Sequence, residues 1–481
     1  MANKWIKLTN TTFIRNKGEF IYFYNQVNNN ERYYEKESGD FINTLSKEPR
    51  KIEGAIDEIV MVYDVDKIIL EQDYLEFIAD LEQDGFVVIG STVEELNKKE
   101  PIFTYKIWDN SLLNKKDLKS NNAKAVDNGN QIPTSIDIRN ELYIENLYIE
   151  ITRRCNEHCV HCYIPEEQRR SGSFMLLDDA KNYLDQAKEL GVWQISITGG
   201  EPFLHPQIAK ILEYARKKDF IISILSNLSL LKPHHIPLLK KVIPSQIQVS
   251  LYSLNPEVHD SITGLTGSFN KTMASLNMCI DNDIPVQVNC PIVKQNKNDF
   301  TQVLDWAKQY GIKANTDFYI MAQTDYSLKN LENTLPKKDV KKVYYTLLKN
   351  DDELRNGILD SFNNSSKELL NTEQHICGAG NNTLFISATG KVSPCATWQS
   401  FELGDLKQDS LSDIYYHNTA IKKLRNIKYK DYPDVVKSPY RSFIKVCPAH
   451  NANTHKGDYK LMPKGVFENA QLQYEAAKEF L

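Results

Sequence analysis

The 481-residue sequence predicts an α/β chain built around a partial parallel barrel, with one small module before it and another after it. Three observations carry this. From 141 to about 335, apolar strand-like runs alternate with amphipathic helices, the pattern of a parallel sheet joined by crossovers. Residues 1–105 hold short aromatic runs and one well-marked helix. From 371 to 481, a strand pair carrying cysteines replaces the alternation. The stretch 106–140 reads as a linker and 336–370 as a helical bridge.

Composition narrows the classes. Hydrophobic content of 41% and charged content of 25% are ordinary for a globular chain. A net charge of −5 gives no reason to expect nucleic acid or an acidic membrane as partner. No window of 18 apolar residues exists, and the opening MANKWIKLTN lacks the apolar stretch of a secretory signal. The expectation is a cytoplasmic protein whose eight cysteines are metal ligands or core thiols rather than bridges.

In the first module, Phe20-Ile21-Tyr22-Phe23-Tyr24 and Arg32-Tyr33-Tyr34 read as strands flanking the turn Asn28-Asn29-Asn30. Ser38-Gly39-Asp40 opens a short helix. A clearer helix places Tyr74, Phe77, Ile78 and Leu81 on one face, with Gly85 as its cap, and Phe86-Val87-Val88-Ile89 closes as a strand. This set resembles the winged-helix-like, PqqD-like peptide-recognition domain found ahead of many peptide-modifying enzymes. The resemblance implies a precursor peptide as partner, added to a strand edge. A winged helix also suits DNA, but residues 1–100 hold 12 Lys and Arg against 20 Asp and Glu, which would repel phosphate. A merely stabilising domain is the other reading. The linker that follows is rich in Lys, Asn and Asp and too poor in apolar residues to fold alone.

Candidate barrel strands are 147–152, 193–198, 221–226, 246–251, 286–291 and 317–322. Helices between them are well punctuated. Asp178 precedes Ala180, Tyr183, Leu184 and Ala187, and Gly191 ends the run. Pro206 precedes Ile208, Ile211, Leu212 and Ala215. Asp299 precedes Phe300, Val303, Leu304 and Ala307, with Gly311 after. Strand parity separates an apolar set (Ile149, Ile197, Val249, Val288) from a polar one (Glu150, Thr198, Gln248, Ser250, Gln287, Asn289). A barrel filled only for packing carries branched apolar residues inside, so a repeated polar set implies a polar ligand or a wet active site. Half-buried strands are the plainer explanation.

After the first strand comes Cys155-Asn156-Glu157-His158-Cys159-Val160-His161-Cys162. Three thiols at i, i+4 and i+7 supply three of the four ligands a cubane cluster takes, which leaves one iron open. Zinc would want a fourth Cys or His at a matching offset. After the second strand comes Thr198-Gly199-Gly200-Glu201-Pro202. Both runs lie at the C-terminal mouth, where parallel α/β proteins carry their sites. Together they resemble the radical S-adenosylmethionine (SAM) family and its partial (β/α)6 barrel. The resemblance implies a [4Fe–4S] cluster on Cys155, Cys159 and Cys162 as the catalytic centre, with SAM on the open iron. It places Gly199, Gly200 and Glu201 at SAM's amino group. It places Ser226 with Asn227, and Ser250 with Asn289, at the ribose and carboxylate, and His161 near the adenine.

Downstream, Ile376-Cys377-Gly378-Ala379-Gly380, a strand pair turning at Thr389-Gly390, Ser393-Pro394-Cys395 and Cys447-Pro448-Ala449-His450 resemble a reduced SPASM or twitch-like domain. A full SPASM domain binds two auxiliary clusters, and this stretch keeps three cysteines. The expectation is one auxiliary iron–sulfur cluster on Cys377, Cys395 and Cys447, its last position open to a substrate thiolate or closed by Glu373, His375 or His450. The other reading is a degenerate domain whose thiols are small buried hydrophobes. Cys279 and Cys290 fall on apolar faces and read as core.

Taken together, the resemblances imply a maturase of a ribosomally synthesised peptide (RiPP), an oxidoreductase-type enzyme. It would form a thioether or carbon–carbon crosslink through a 5′-deoxyadenosyl radical, with a donor such as flavodoxin or ferredoxin. A peptide epimerase, a sulfatase-maturing (formylglycine-forming) enzyme and a non-catalytic peptide-binding relative stay open as alternatives.

Overall fold

The computed structural model describes residues 3–17, 20–63, 66–101, 143–352, 354–358 and 372–481. It divides into two compact units. One is Met1–Leu142 with Asp219–Ile221 and Asp283–Pro285; the other is Tyr143–Lys218, Ile222–Asn282 and Val286–Leu481. The expected linker 106–140 and the 359–370 part of the expected bridge lie outside the described residues.

Among its described residues the first unit has strands β1 (Trp5–Leu8), β2 (Thr12–Lys17), β3 (Phe20–Asn25), β4 (Glu31–Glu35), β5 (Arg50–Lys51) and β6 (Val87–Gly90). They form two three-stranded sheets, β2-β3-β4 and β5-β1-β6. The sequence marks β3, β4 and β6. It does not mark β1 and β2, where Lys7 and Arg15 interrupt the apolar pattern yet are themselves buried. The helix Lys67–Gln83 buries Leu70, Tyr74, Ile78 and Leu81 against a core that includes Ile6, Phe23 and Phe86. Tyr74 keeps its hydroxyl satisfied inside this core by a 2.7 Å contact to the Thr44 hydroxyl. Gly85, at φ +80°, turns the chain from that helix into β6, a conformation few side chains tolerate.

The second unit is organised by β7 (Asn146–Thr152), β8 (Gln194–Gly199), β9 (Ile221–Ser226), β10 (Gln246–Ser250), β11 (Val286–Pro291) and β12 (Lys313–Asp317), side by side in chain order. The pairs β7–β8, β9–β10, β10–β11 and β11–β12 are parallel. Helices Leu177–Glu189 and Ile208–Lys217 bury the apolar faces read from the sequence, and Phe300–Gln309 buries Phe300, Val303 and Ala307 with Leu304 half-buried. The sixth strand differs from expectation. It is Lys313–Asp317, not 317–322, and its residues alternate between exposed and half-buried at the sheet edge. An edge strand of that kind carries no apolar run. The run that suggested a strand, with Phe318, Ile320 and Ala322, is buried outside the sheet.

Three further strands, β13 (Thr383–Ile386), β14 (Lys391–Ser393) and β15 (Gly404–Asp405), continue the same sheet beyond β7. β13 pairs in parallel with β7, Leu384 opposite Leu147 and Ile386 opposite Ile149. The cysteine-bearing C-terminal region therefore shares one sheet with the barrel. Its hairpin turns at Gly390, at φ +90°. The polar set also lines up across strands: Glu150 beside Thr198, Gln248 beside Gln287, and Ser250 beside Asn289, which is beside Asn315.

Candidate iron–sulfur and SAM site

The loop after β7 carries all three motif cysteines, and its shape is fixed by backbone. Cys155 N–H donates to Arg169 O at 3.1 Å, His158 N–H to Thr263 O at 2.7 Å and Val160 N–H to Ile262 O at 2.9 Å. Two asparagines clamp the far end. Asn330 Nδ2 donates to His161 O at 3.1 Å and Asn333 Nδ2 to Val160 O at 3.0 Å. The sulfurs face hydrogen-bond donors. Glu157 N–H lies 3.4 Å from Cys155 Sγ, Asn227 Nδ2 3.9 Å from the same sulfur, and Tyr252 OH 3.9 Å from Cys159 Sγ. His161 stands edge-on to Tyr252, with ring centroids 5.2 Å apart.

The glycines of the GGEP run let backbone meet backbone. A Cβ on Gly199 would lie 2.3 Å from Thr152 O, and one on Gly200 2.3 Å from Arg154 O. They let β8's end lie flat on the cysteine loop, where Gly200 N–H donates to Thr152 O at 2.9 Å and Glu201 N–H to Arg154 O at 2.8 Å. Glu201 is fully buried and already satisfied within the protein. It accepts from Phe203 N–H at 2.9 Å, Ser226 Oγ at 2.8 Å and Asn227 N–H at 2.8 Å. Ser226 Oγ in turn accepts from Leu228 N–H at 2.8 Å. Glu201, Ser226 and Asn227 thus tie the loops after β7, β8 and β9 together. Ser250 and Asn289 lie side by side further along the sheet.

Burial dominates the electrostatics of the site. Burial pushes the Cys155 thiol up to about 12 and Cys159 well above its ordinary value. These sulfurs ionise when a metal charge compensates them. Burial also pushes Glu201 up to about 7 and Glu157 up to about 8, the latter aided by the nearby Glu201 carboxylate, and it lowers His161 to about 4. Buried Glu157 Oε1, Arg169 Nε and His161 Nδ1 have no hydrogen-bond partner among the described residues. Among those residues no three His, Cys, Asp or Glu side chains gather round a single-ion position.

The residues between the two cysteine regions form a polar link. Glu150, nearly fully buried, pairs with Arg153 Nε at 3.1 Å and accepts from Ala388 N–H at 3.2 Å; Arg153 also reaches Gln168 and Gln399. Beyond it, the Cys395 and Cys447 thiols are raised by burial and further by neighbouring thiols, Cys377 among them. Ala379 N–H lies 3.4 Å from Cys377 Sγ, and Thr397 Oγ1 3.4 Å from Cys395 Sγ. Of the suggested fourth ligands, Glu373 is exposed and held by Lys428 and Lys430, at 2.8 and 2.9 Å, and His375 is exposed and bridged to Lys428. His450 is half-buried, its Nδ1 without a partner among the described residues.

Sequence reasoning passed over Glu157, Arg169, Tyr252, Asn330 and Asn333. Glu157 had one signal, a charge inside a cysteine motif. Tyr252 had none, because it stands past the end of β10.

Residues 149–321 match the Radical SAM superfamily and residues 377–440 the SPASM iron–sulfur cluster-binding domain. The chain carries a radical SAM domain followed by a SPASM domain. The first implies a [4Fe–4S] cluster and SAM, the second additional iron–sulfur chemistry. The chain is 28% identical over 317 residues to the antilisterial bacteriocin subtilosin biosynthesis protein AlbA of Bacillus subtilis, covering 64% of this chain and 68% of AlbA. It is 24% identical over 332 residues to the AdoMet-dependent heme synthase of Methanosarcina barkeri, covering 64% and 92%. The fold is similar to Streptococcus suis SuiB bound to precursor peptide SuiA, with a TM-score of 0.58 and 15% identity, covering 96% of this chain and 99% of SuiB.

Proposed function

We propose that this enzyme matures a ribosomally made precursor peptide, forming a thioether or carbon–carbon crosslink. The observation that carries the reading is coverage: the likeness to SuiB, a protein solved with a precursor peptide, extends over 96% of this chain and so takes in the N-terminal unit. AlbA, a bacteriocin biosynthesis protein, supports the same substrate class. Cys155, Cys159 and Cys162 would hold the SAM-binding cluster, and Cys377, Cys395 and Cys447 an auxiliary one. Cluster and SAM together supply one-electron chemistry that removes hydrogen from an unactivated carbon. The chain's own residues shape the site around them: Glu201 ties three loops, and Asn330 with Asn333 fixes the cysteine loop. In the N-terminal unit, β4 pairs only with β3 among the described residues and offers its free edge to a peptide. No helix among the described residues is long and apolar enough to cross a membrane. The electron donor in this reading is a small redox protein.

Crosslinking is favoured over epimerisation by the two remaining cysteines. An epimerase needs a thiol to return hydrogen to the substrate, and Cys279 and Cys290 are both wholly buried. The test is co-expression with a short peptide encoded beside the gene, read by mass spectrometry. Loss of two hydrogen atoms per link supports the reading. Unchanged mass with deuterium uptake makes the enzyme an epimerase, and an unmodified peptide without SAM cleavage makes it a binding relative.

A further inference from the structure

Tyr252 is held in place more firmly than packing alone requires. Its carbonyl accepts from Asn296 Nδ2 at 2.9 Å, and its N–H points at His259 Nδ1 at 3.4 Å. Its ring lies between those of His161 and His259, with centroids 5.2 and 5.4 Å away. The residue is 3% exposed. The Ser250 side chain hydrogen-bonds its phenol. The Tyr252 hydroxyl also faces Cys159 Sγ at 3.9 Å and His161 Nε2 at 3.5 Å. The sulfur of Cys159 becomes an anionic acceptor once iron binds, and a charged acceptor draws a donor more strongly than a neutral ring nitrogen.

We infer that Tyr252 tunes the potential of the SAM-binding cluster, by donating a hydrogen bond to the Cys159 sulfur. Hydrogen bonds to cluster sulfurs stabilise the reduced, more negative state and so raise the reduction potential. Tyr252 is a positioning and tuning residue, acting through a ligand rather than on substrate. The inference rests on the reading that Cys159 ligates the cluster.

The test is an EPR-monitored redox titration of the anaerobically reconstituted full chain, following the signal that changes on SAM addition. Tyr252→Phe keeps the ring and deletes the donor; its midpoint should shift to more negative potential. A 3-fluorotyrosine introduced at position 252 is a stronger donor of nearly the same shape, and its midpoint should shift the other way. If Tyr252→Phe fails to take up iron, the fluorinated protein alone decides. Midpoints indistinguishable from wild type, or a positive shift for Tyr252→Phe, overturn the inference while leaving the cluster assignment intact. A wild-type chain with no SAM-responsive cluster overturns both.

Discussion

Gly200→Ala probes the joint between the two sequence motifs. The added methyl would sit 2.3 Å from Arg154 O and 2.6 Å from Arg153 O, against an ordinary contact of 3.4 Å or more. Both obstacles are backbone, so no side chain can swing aside. The cysteine loop and the GGEP run must separate by about 1 Å, since close-packed interiors do not absorb such an overlap. The hydrogen bonds from Gly200 N–H to Thr152 O and from Glu201 N–H to Arg154 O bridge that joint. Losing both costs about 2 kcal/mol. A displacement of about 1 Å at a reacting centre costs on the order of 10²-fold in rate. The assay is 5′-deoxyadenosine formation per cluster-bearing chain, with iron content and circular dichroism measured on the same samples. The expected result is native secondary structure with turnover reduced about 10²-fold. Turnover within twofold of wild type at equal iron content would refute the idea that these glycines serve the cysteine loop.

Other outcomes follow from the same geometry. Reconstituted wild type should hold about eight irons per chain and Cys395→Ala about four; about four in wild type would remove the auxiliary cluster. Arg153→Met strands the buried Glu150 carboxylate and should destabilise the second unit by about 3–5 kcal/mol in thermal or denaturant unfolding; a change under about 1 kcal/mol would show that Ala388 N–H suffices. The iron-free chain should lose stability as pH rises. The folded pKa of Glu201 is raised from 4.5 to about 7 and that of Glu157 to about 8, so unfolding releases protons across that range and stability falls by about 1.4 kcal/mol per pH unit for each group, levelling only above about 8. Glu201→Gln should remove the Glu201 share and make the slope shallower in pH-dependent melts, and an unchanged slope would assign it wholly to other groups.

Much of the barrel was legible because its helices are strongly amphipathic and its inner strands are apolar on one face. Tyr183 and Leu184, or Ile211 and Leu212, announce their helices by spacing alone. The edges were not legible. Lys313–Asp317 is an edge strand with no apolar face, and Trp5–Leu8 hides a buried Lys7 that pairs with Glu100 at 2.7 Å. Pairing of β13 with β7 links residues far apart in the chain and leaves no local trace. At the site, motif spacing found the cysteines, while the groups that face them came from elsewhere. Tyr252, Asn330 and Asn333 are recruited by the fold, and a single sequence has no periodicity that marks them. The role of Glu201 also needed coordinates, since nothing in GGEP says that its carboxylate is satisfied by Phe203, Ser226 and Asn227.

The central claim is that three thiolates of one loop hold a cluster on which SAM is split. Its most direct test is 5′-deoxyadenosine quantified after dithionite reduction of anaerobically reconstituted protein, wild type beside Cys159→Ala. The account predicts product from wild type and none from Cys159→Ala. Equal product from both, or none from a wild-type chain that carries its iron, would contradict it.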